Sequence, residues 1–294
     1  MEEEILEKYK KAGKIASEVR EASRKLLNVG VPLLDIAEKI EAMIREKGGE
    51  PAFPANLSLN DIAAHYTPVK KDETRIPEGA ILKVDLGVHM DGYVADTAYT
   101  VSFSDDYAGL VDASKSALEN ILELCTPGRK LADISAKIQE TIEGAGYKPV
   151  SNLTGHGLQQ YFLHADPHVP NVRFSSDYTL SEGQAIAIEP FATEGEGRIK
   201  ETEPALIYMM LAGKPVRNPD ARLIMQFASR FNGLPFAERW IPIESTFKIR
   251  MAVRELKEKG VLYGYPPLKE VSKGMVSQAE HTVIVADEPI VTTK

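Results

Sequence analysis

Four acids and a pair of histidines stand at positions where they could do chemistry together. Asp85 and Asp96 flank Asp91-Gly92, a two-residue hairpin signal. If Met90 pairs with Tyr93, Asp96 faces Gly87 and Asp85 becomes its diagonal neighbour on the same sheet face, roughly 7–8 Å away between backbones. Glycine at 87 is expected to leave the space between them empty. Two carboxylates aimed into one hole repel each other unless a cation occupies it, whereas a solvated hairpin face tolerates both. This pair alone leaves the two readings open. Glu189 and Glu280 add two further acids at strand positions, and the segment from Gly155-His156-Gly157 to His164 adds imidazoles. Four carboxylates balance two divalent ions, and an oxygen-rich set with one imidazole suits Mn, Fe or Co; zinc is admitted but not indicated.

Other chemistries lose weight. The chain has no Walker A loop, no His-Glu-x-x-His, no Gly-x-Ser-x-Gly and no Cys-x-x-Cys. Its only cysteine, Cys125, falls on a helical stripe with Ile121 and Leu122 and reads as buried filler. A net charge of −8 offers no broad basic surface, so DNA is not an expected partner. With 43% hydrophobic and 27% charged residues the composition is that of a globular protein without a membrane span. The opening run of Glu2, Glu3 and Glu4 followed by Lys8, Lys10 and Lys11 is unlike a signal peptide, so a cytoplasmic location is expected. The Asn-x-Ser/Thr triplets at Asn56 and Asn152 then read as chance.

The elements that must position these residues form a repeat. Apolar residues recur at intervals of three or four from Leu6 to Leu26, over 34–46, from Leu110 to Leu124 and from Leu131 to Ile142, the last closed by Gly144 and Gly146. Asp35-Ile36, Lys39-Ile40, Ile44, Gly48 and Pro51 return 98 positions later as Asp133-Ile134, Lys137-Ile138, Ile142, Gly146 and Pro149. The parallel continues from Glu78-Gly79 to Asp85 and from Glu182-Gly183 to Glu189, both ending in a carboxylate. This implies an α+β fold in which a helix, helix, turn, strand unit is used twice. Its two sheets would pair about a pseudo-twofold axis, with helices outside and acids inside. In the second copy the returning strand, Val276 to Val285, comes only after an interruption of about sixty residues. We bound that insertion at 200–262 within a single 1–294 domain. Pro219, Gly233, an apolar period from Phe247 to Glu258 and Gly260 mark it as a helical cover that shapes access without a catalytic cluster. We assign structural roles to His89, on the face away from Asp85, to His168 in a Pro-flanked loop, and to His281, pointing away from Glu280.

Over essentially its whole length the chain resembles the type 2 methionine aminopeptidases of archaea and eukaryotes. The resemblance rests on Phe53-Pro54-Ala55-Asn56-Leu57-Ser58, Ala63-Ala64-His65-Tyr66, Lys83-Val84-Asp85-Leu86-Gly87, Asp91-Gly92-Tyr93-Val94-Ala95-Asp96, Gly155-His156-Gly157, Ile188-Glu189-Pro190-Phe191 and Gln278-Ala279-Glu280-His281-Thr282. It implies the pita-bread fold, and the insertion looks like the type 2 hallmark. It further implies that Asp85 chelates one metal, that Asp96 and Glu280 bridge both, and that His156 and Glu189 complete the other. A water held between the metals would attack the first peptide bond, with Glu189 carrying the proton. His65 and His164 would hydrogen-bond the scissile amide and the tetrahedral intermediate, and His65 would be alkylated by fumagillin-like epoxides. The methionine pocket would include Phe53, Leu163, Phe191 and Tyr265, with a narrow site beyond it that favours small second residues. One departure is Leu158-Gln159-Gln160-Tyr161-Phe162, which lacks the basic residues found in many type 2 relatives.

The expected partner is a peptide or nascent-chain N-terminus, with the ribosome a candidate, and the expected state is a monomer. Two rivals stand beside this reading. A proline-specific exopeptidase of the same fold usually carries an extra amino-terminal domain, and a ribosome- or nucleic-acid-binding relative would have lost ligands that this sequence keeps.

Overall fold

A computed structural model describes residues 1–294. Helices α1 (Glu3–Ser23) and α2 (Leu33–Glu46) cover the first half, and α3 (Ala108–Leu122) and α4 (Leu131–Gly144) cover the second. The repeat is visible in what they bury. Leu33, Ile36, Ile40 and Ile44 form the inner stripe of α2, and Leu131, Ile134, Ile138 and Ile142 form that of α4. Both helices give way to a glycine with left-handed backbone, Gly48 at φ 81° and Gly146 at φ 87°, where a Cβ would be strained. Gly144 is still helical, so Gly146 alone supplies the stop. Each half has a core of its own, of 19 and 20 buried apolar residues, and Cys125 fills the second. Burial pushes its thiol up to about 12, as befits filler.

The strands that matter for the site are β1 (Asn56–Leu59), β2 (Ile81–Met90), β3 (Tyr93–Ser102), β4 (Thr154–Gln159), β5 (Phe162–Pro170), β6 (Ala185–Ile188) and β7 (Glu280–Ile284). They form one sheet in the order β1-β2-β3-β7-β6-β4-β5. Since β6 repeats β2 and β7 repeats β3, the two halves meet at β3–β7 in the middle of one continuous sheet, where two paired sheets were expected. The hairpin has the anticipated register, Met90 opposite Tyr93 and Gly87 opposite Asp96. Asp91 and Gly92 both take positive φ, 52° and 86°, which matches the strand twist.

Two expectations change. The run 276–285 is not one strand: it breaks at Ala279, and Val276–Gln278 leaves to pair with Phe191–Thr193. The space beside Gly87 is not empty either. A Cβ there would lie 2.3 Å from Cε1 of Phe53, so the glycine admits that ring against the strand.

The insertion leaves the repeat through a stem in which Ile199–Glu201 pairs with Leu268–Glu270, which in turn pairs with Ile62–Ala64. Beyond the stem, α5 (Pro219–Ala228) and α6 (Thr246–Glu258) enclose a core of 15 buried apolar residues. Asn218 caps α5 by accepting from the N–H groups of Asp220 and Ala221, with Pro219 in the first turn. The insertion is not purely helical. Ile207–Met210 pairs with Phe236–Ala237 and Leu262–Tyr265, short apolar runs without the alternation that announces a strand.

A buried ion pair docks this unit on the first half. The Glu41 carboxylate on α2 accepts from the Arg239 guanidinium, from Trp240 Nε1 at 2.9 Å and from the Ala55 N–H at 3.1 Å. Arg239 also donates to Pro68 O at 3.0 Å. Burial pushes the Glu41 carboxyl up and Arg239 opposes it, so losing either partner would leave an uncompensated buried charge. The segment carrying Phe53, Asn56 and His65 is thereby set against the insertion.

Candidate active site

Strand pairing places the acids in two adjacent rows on one sheet face. In one row Asn56 faces Asp85, Asp85 faces Ala98, and Ala98 faces Glu280. In the next, Gly87 faces Asp96, while beyond the seam Thr282 faces Ala187 and Ala187 faces His156. Ala98 and Ala187 are the small members that let longer side chains converge above them. Glu189 follows Ala187 by two residues and returns to the first row.

The convergence is close. Oxygens of Asp96 and Glu280 and a nitrogen of His156 all lie within 4.8 Å of one another. His156 Nε2 is 3.8 Å from Asp96 Oδ2 and 3.7 Å from Glu189 Oε1, and its Nδ1 is 3.2 Å from the Gly157 carbonyl. A proton on Nδ1 donated to that carbonyl turns the Nε2 lone pair toward the acids. Gln278 Nε2 donates to Glu189 Oε2 at 3.2 Å. Asp85 lines the same cavity from the β2 side.

As a set of bare acids this arrangement is unfavourable. Burial raises Asp85 to about 7. Asp96 and Glu280 are raised well above the carboxylate range by burial and then by the neighbouring acids, and Glu189 by burial and then Asp85. Asp85 Oδ1, Asp96 Oδ1 and Glu280 Oε2 are buried without a hydrogen-bond partner. Unpaired oxygens of three converging carboxylates beside an imidazole nitrogen fit divalent cations.

This electrostatics predicts the effect of stripping metal. Without cations the folded chain holds protons that the unfolded chain, with ordinary carboxylates, releases. The four raised groups therefore favour the fold below about pH 4, and that contribution is lost as pH rises through 7 and above. Chelation should lower Tm by about 5 °C or more at pH 8 and by clearly less at pH 5.5, about 2–4 °C standing for each ~1 kcal/mol. A chelation shift equal at both pH values in scanning calorimetry would contradict the cluster's electrostatics.

Across the cavity stand His164, on β5, and His65, just after Ile62–Ala64 with left-handed backbone at φ 64°. The His164 ring lies 4.7 Å from His156 and 5.6 Å from Tyr265, and His65 lies 5.5 Å from Tyr265. Burial lowers His65 to about 4 and, with the neighbouring imidazoles, holds His164 well below the usual range, so both rings are neutral donors or acceptors near pH 7.

Phe53, Leu163 and Tyr265 line the cavity. Phe191 does not. It is 1% exposed and packs behind the wall with Ala63, Ala64, Val150, Leu268 and Val276, because its strand turns away to join Val276–Gln278. Ala64, Asn56, Ile207 and Pro235 complete the lining and were not anticipated. Asn56 lies inside a segment the resemblance rests on, whereas Ile207 and Pro235 reach the site only through the fold of the insertion. That insertion forms a wall, not only a cover.

The remaining histidines stay outside the cavity. His89 is four residues from Asp85 along β2 and so shares its face, contrary to expectation; distance excludes it, and its Nδ1 accepts from the Gly92 N–H at 3.1 Å across the turn. His168 sits on β5, not in a loop, and is exposed. His281 turns to the back of the sheet, 2.8 Å from Thr293 Oγ1.

Residues 7–232 match the model of Metallopeptidase family M24. A methionine aminopeptidase of Pyrococcus horikoshii is 47% identical over 98% of this chain and 99% of its own length. Among solved structures, a thermophilic Arx1 superposes with a TM-score of 0.88 at 19% identity, over 99% of this chain and 91% of that one. A methionine aminopeptidase from Thermotoga maritima gives 0.74 at 22% identity, over 100% of this chain and 98% of that one. These two likenesses speak for the fold, and it is the pita-bread fold. Dependence on divalent metal comes with the family, and the buried acid and histidine group fits it. By the match to the family model and by near-full-length identity, the chain belongs to metallopeptidase family M24, among its methionine aminopeptidases.

Proposed function

We propose that the chain removes the amino-terminal methionine from peptides and nascent proteins, preferring a small second residue. The observation that carries this reading is the gathering of Asp85, Asp96, His156, Glu189 and Glu280 around one cavity that two neutral histidines also line. Asp85, Asp96, His156, Glu189 and Glu280 would hold two divalent ions, with Asp96 and Glu280 shared between them. Bound there, the ions supply an activated water and a polarised carbonyl. An oxygen-rich set with a single imidazole supports Co, Mn or Fe over softer choices.

The chain's own groups do the rest. Glu189, whose carboxylate accepts from Gln278, would take a proton from the attacking water and return it to the departing amine. His164 and His65 donate hydrogen bonds to the oxygen that gains charge and to the scissile amide. Phe53, Leu163 and Tyr265, with Ala64, Ile207 and Pro235, accept the apolar side chain of the first residue. The segment 200–262, carried on the stem of Ile199–Glu201 and Leu268–Glu270, is the type 2 insertion in this reading. The single buried cysteine supports a reducing, cytoplasmic compartment, and nascent chains at the ribosome are the source of such termini. We assign a monomer.

Met-Ala-Ser and Ala-Pro-Ala, each offered with Mn²⁺ or Co²⁺ and again after chelation, test the reading. Release of methionine from the first, at least about 10²-fold faster than any cleavage of the second and abolished by chelation, is expected. Preference for Ala-Pro-Ala would point instead to a proline-specific exopeptidase. Cleavage of neither peptide by protein loaded with two metals would point to a binding protein.

A further inference from the structure

The seam between the two halves is held in an unusual way. β3 and β7 share only two register pairs, Glu280 with Ala98 and His281 with Thr97, yet Asp96 stands on one side of the seam and Glu280 on the other. Beyond those pairs hydroxyls replace the ladder. Thr282 Oγ1 accepts from the Asp96 N–H at 2.7 Å and donates to the Asp96 carbonyl at 2.9 Å. At the other end, Thr100 Oγ1 accepts from the Gln278 N–H at 2.9 Å and donates to the Gln278 carbonyl at 2.7 Å. One hydroxyl comes from each strand, and each takes both backbone groups of the residue opposite. Thr282 is free to do this because its own N–H donates to Thr293 Oγ1 at 3.1 Å and its carbonyl accepts from the Thr292 N–H at 3.0 Å. Thr100 and Thr282 are both buried, so water is not an alternative partner.

What they hold is the site. Thr282 pins the peptide unit that presents Asp96, and Thr100 pins Gln278, whose amide in turn holds Glu189. A direct ladder would draw the strands together, whereas an interposed hydroxyl satisfies both groups with the strands held off. We propose that Thr282 and Thr100 are positioning residues whose hydroxyls set the spacing of the carboxylates across the seam, so that losing either one weakens capture of paired divalent ions although neither touches them. This rests on the reading of Asp96, Glu189 and Glu280 as ligands.

The test titrates Mn²⁺ into metal-free protein by calorimetry, with electron paramagnetic resonance reporting the bound pair, for Thr282→Val, Thr282→Ser, Thr100→Val and Thr100→Ser. Valine keeps the shape and removes the hydroxyl, and serine restores it. Each valine variant should bind the weaker Mn²⁺ about 10–100-fold less tightly and lose the coupled-pair signal, with kcat reduced and KM for Met-Ala-Ser within about twofold. Each serine variant should return to within about threefold of the parent. Valine variants that bind two ions with parental affinity, and merely melt earlier, overturn the proposal. Should Thr282→Val not fold, Thr282→Cys, a weaker donor of similar size, should show the same loss in smaller degree, and unchanged affinity there overturns it equally. Asp96→Asn, run alongside, separates the two levels. If the parent binds no pair or Asp96→Asn keeps it, the ligand reading fails and this inference with it; if both behave as read while the valine variants match the parent, only the positioning role fails.

Discussion

Glu280→Gln is expected to lose metal and activity together. The amide keeps the side chain's volume, so the seam can still pack, but it removes one of the two charges that the reading shares between both ions. Asp96, Glu189 and Asp85 act electrostatically on Glu280, and with a neutral amide in its place only these three carboxylates are left to balance two divalent cations. We expect kcat/KM to fall by roughly 10³-fold or more, on the order of 4 kcal/mol of transition-state stabilisation, and bound metal to drop below two ions per chain. A second sign distinguishes this from misfolding. Because those same acids repel one another without metal, the metal-free variant should melt higher than the metal-free parent at pH 8, while the metal-loaded variant melts lower. Full activity with two bound ions by elemental analysis would remove Glu280 from the ligand set.

Much of this site was legible in the sequence because its geometry is local or repeated. The Asp91-Gly92 turn determines the register of β2 against β3, and register alone puts Asp85 and Asp96 on one face. The parallel between the run from Glu78 to Asp85 and the run from Glu182 to Glu189 places Glu189 in the second copy where Asp85 stands in the first. The same parity count, applied with care, puts His89 on the face of Asp85 and leaves distance to exclude it. What stayed hidden depends on contacts between segments far apart in the chain. Nothing in Val276 to Val285 announces a break at Ala279, which arises because Phe191–Thr193 and β6 compete for that run. The break also carries Phe191 out of the cavity, although the family resemblance had put it in the methionine pocket. Ile207 and Pro235 reach the wall through a three-stranded sheet too short and too uniformly apolar to be read, and through the Glu41–Arg239 pair, 198 residues apart in the chain, that docks it on the first half. Hydroxyl stitching of the kind seen at Thr100 and Thr282 leaves no periodic trace at all.

His164→Ala should separate chemistry from metal binding. His164 lies beside the donor set, its ring 4.7 Å from that of His156, yet it is not among the groups that converge within ligand distance. Removing it takes away one hydrogen-bond donor aimed into the cavity and leaves the carboxylates and Gln278 in place. The loss should resemble that of a single donor to a developing oxyanion, about 10²–10³-fold in kcat, with two ions still bound and KM for Met-Ala-Ser changed by less than about threefold. Charge is not what His164 contributes. Burial and the imidazoles of His156 and His65 hold it neutral throughout the working range, so the parent's rate between pH 6 and 8 should carry no inflection from this ring. His164→Gln, which keeps an amide donor of similar reach, should recover part of the rate where alanine does not. If His164→Ala sheds metal as Glu280→Gln does, or if glutamine and alanine are equally impaired, His164 supports the donor set and does not act on substrate.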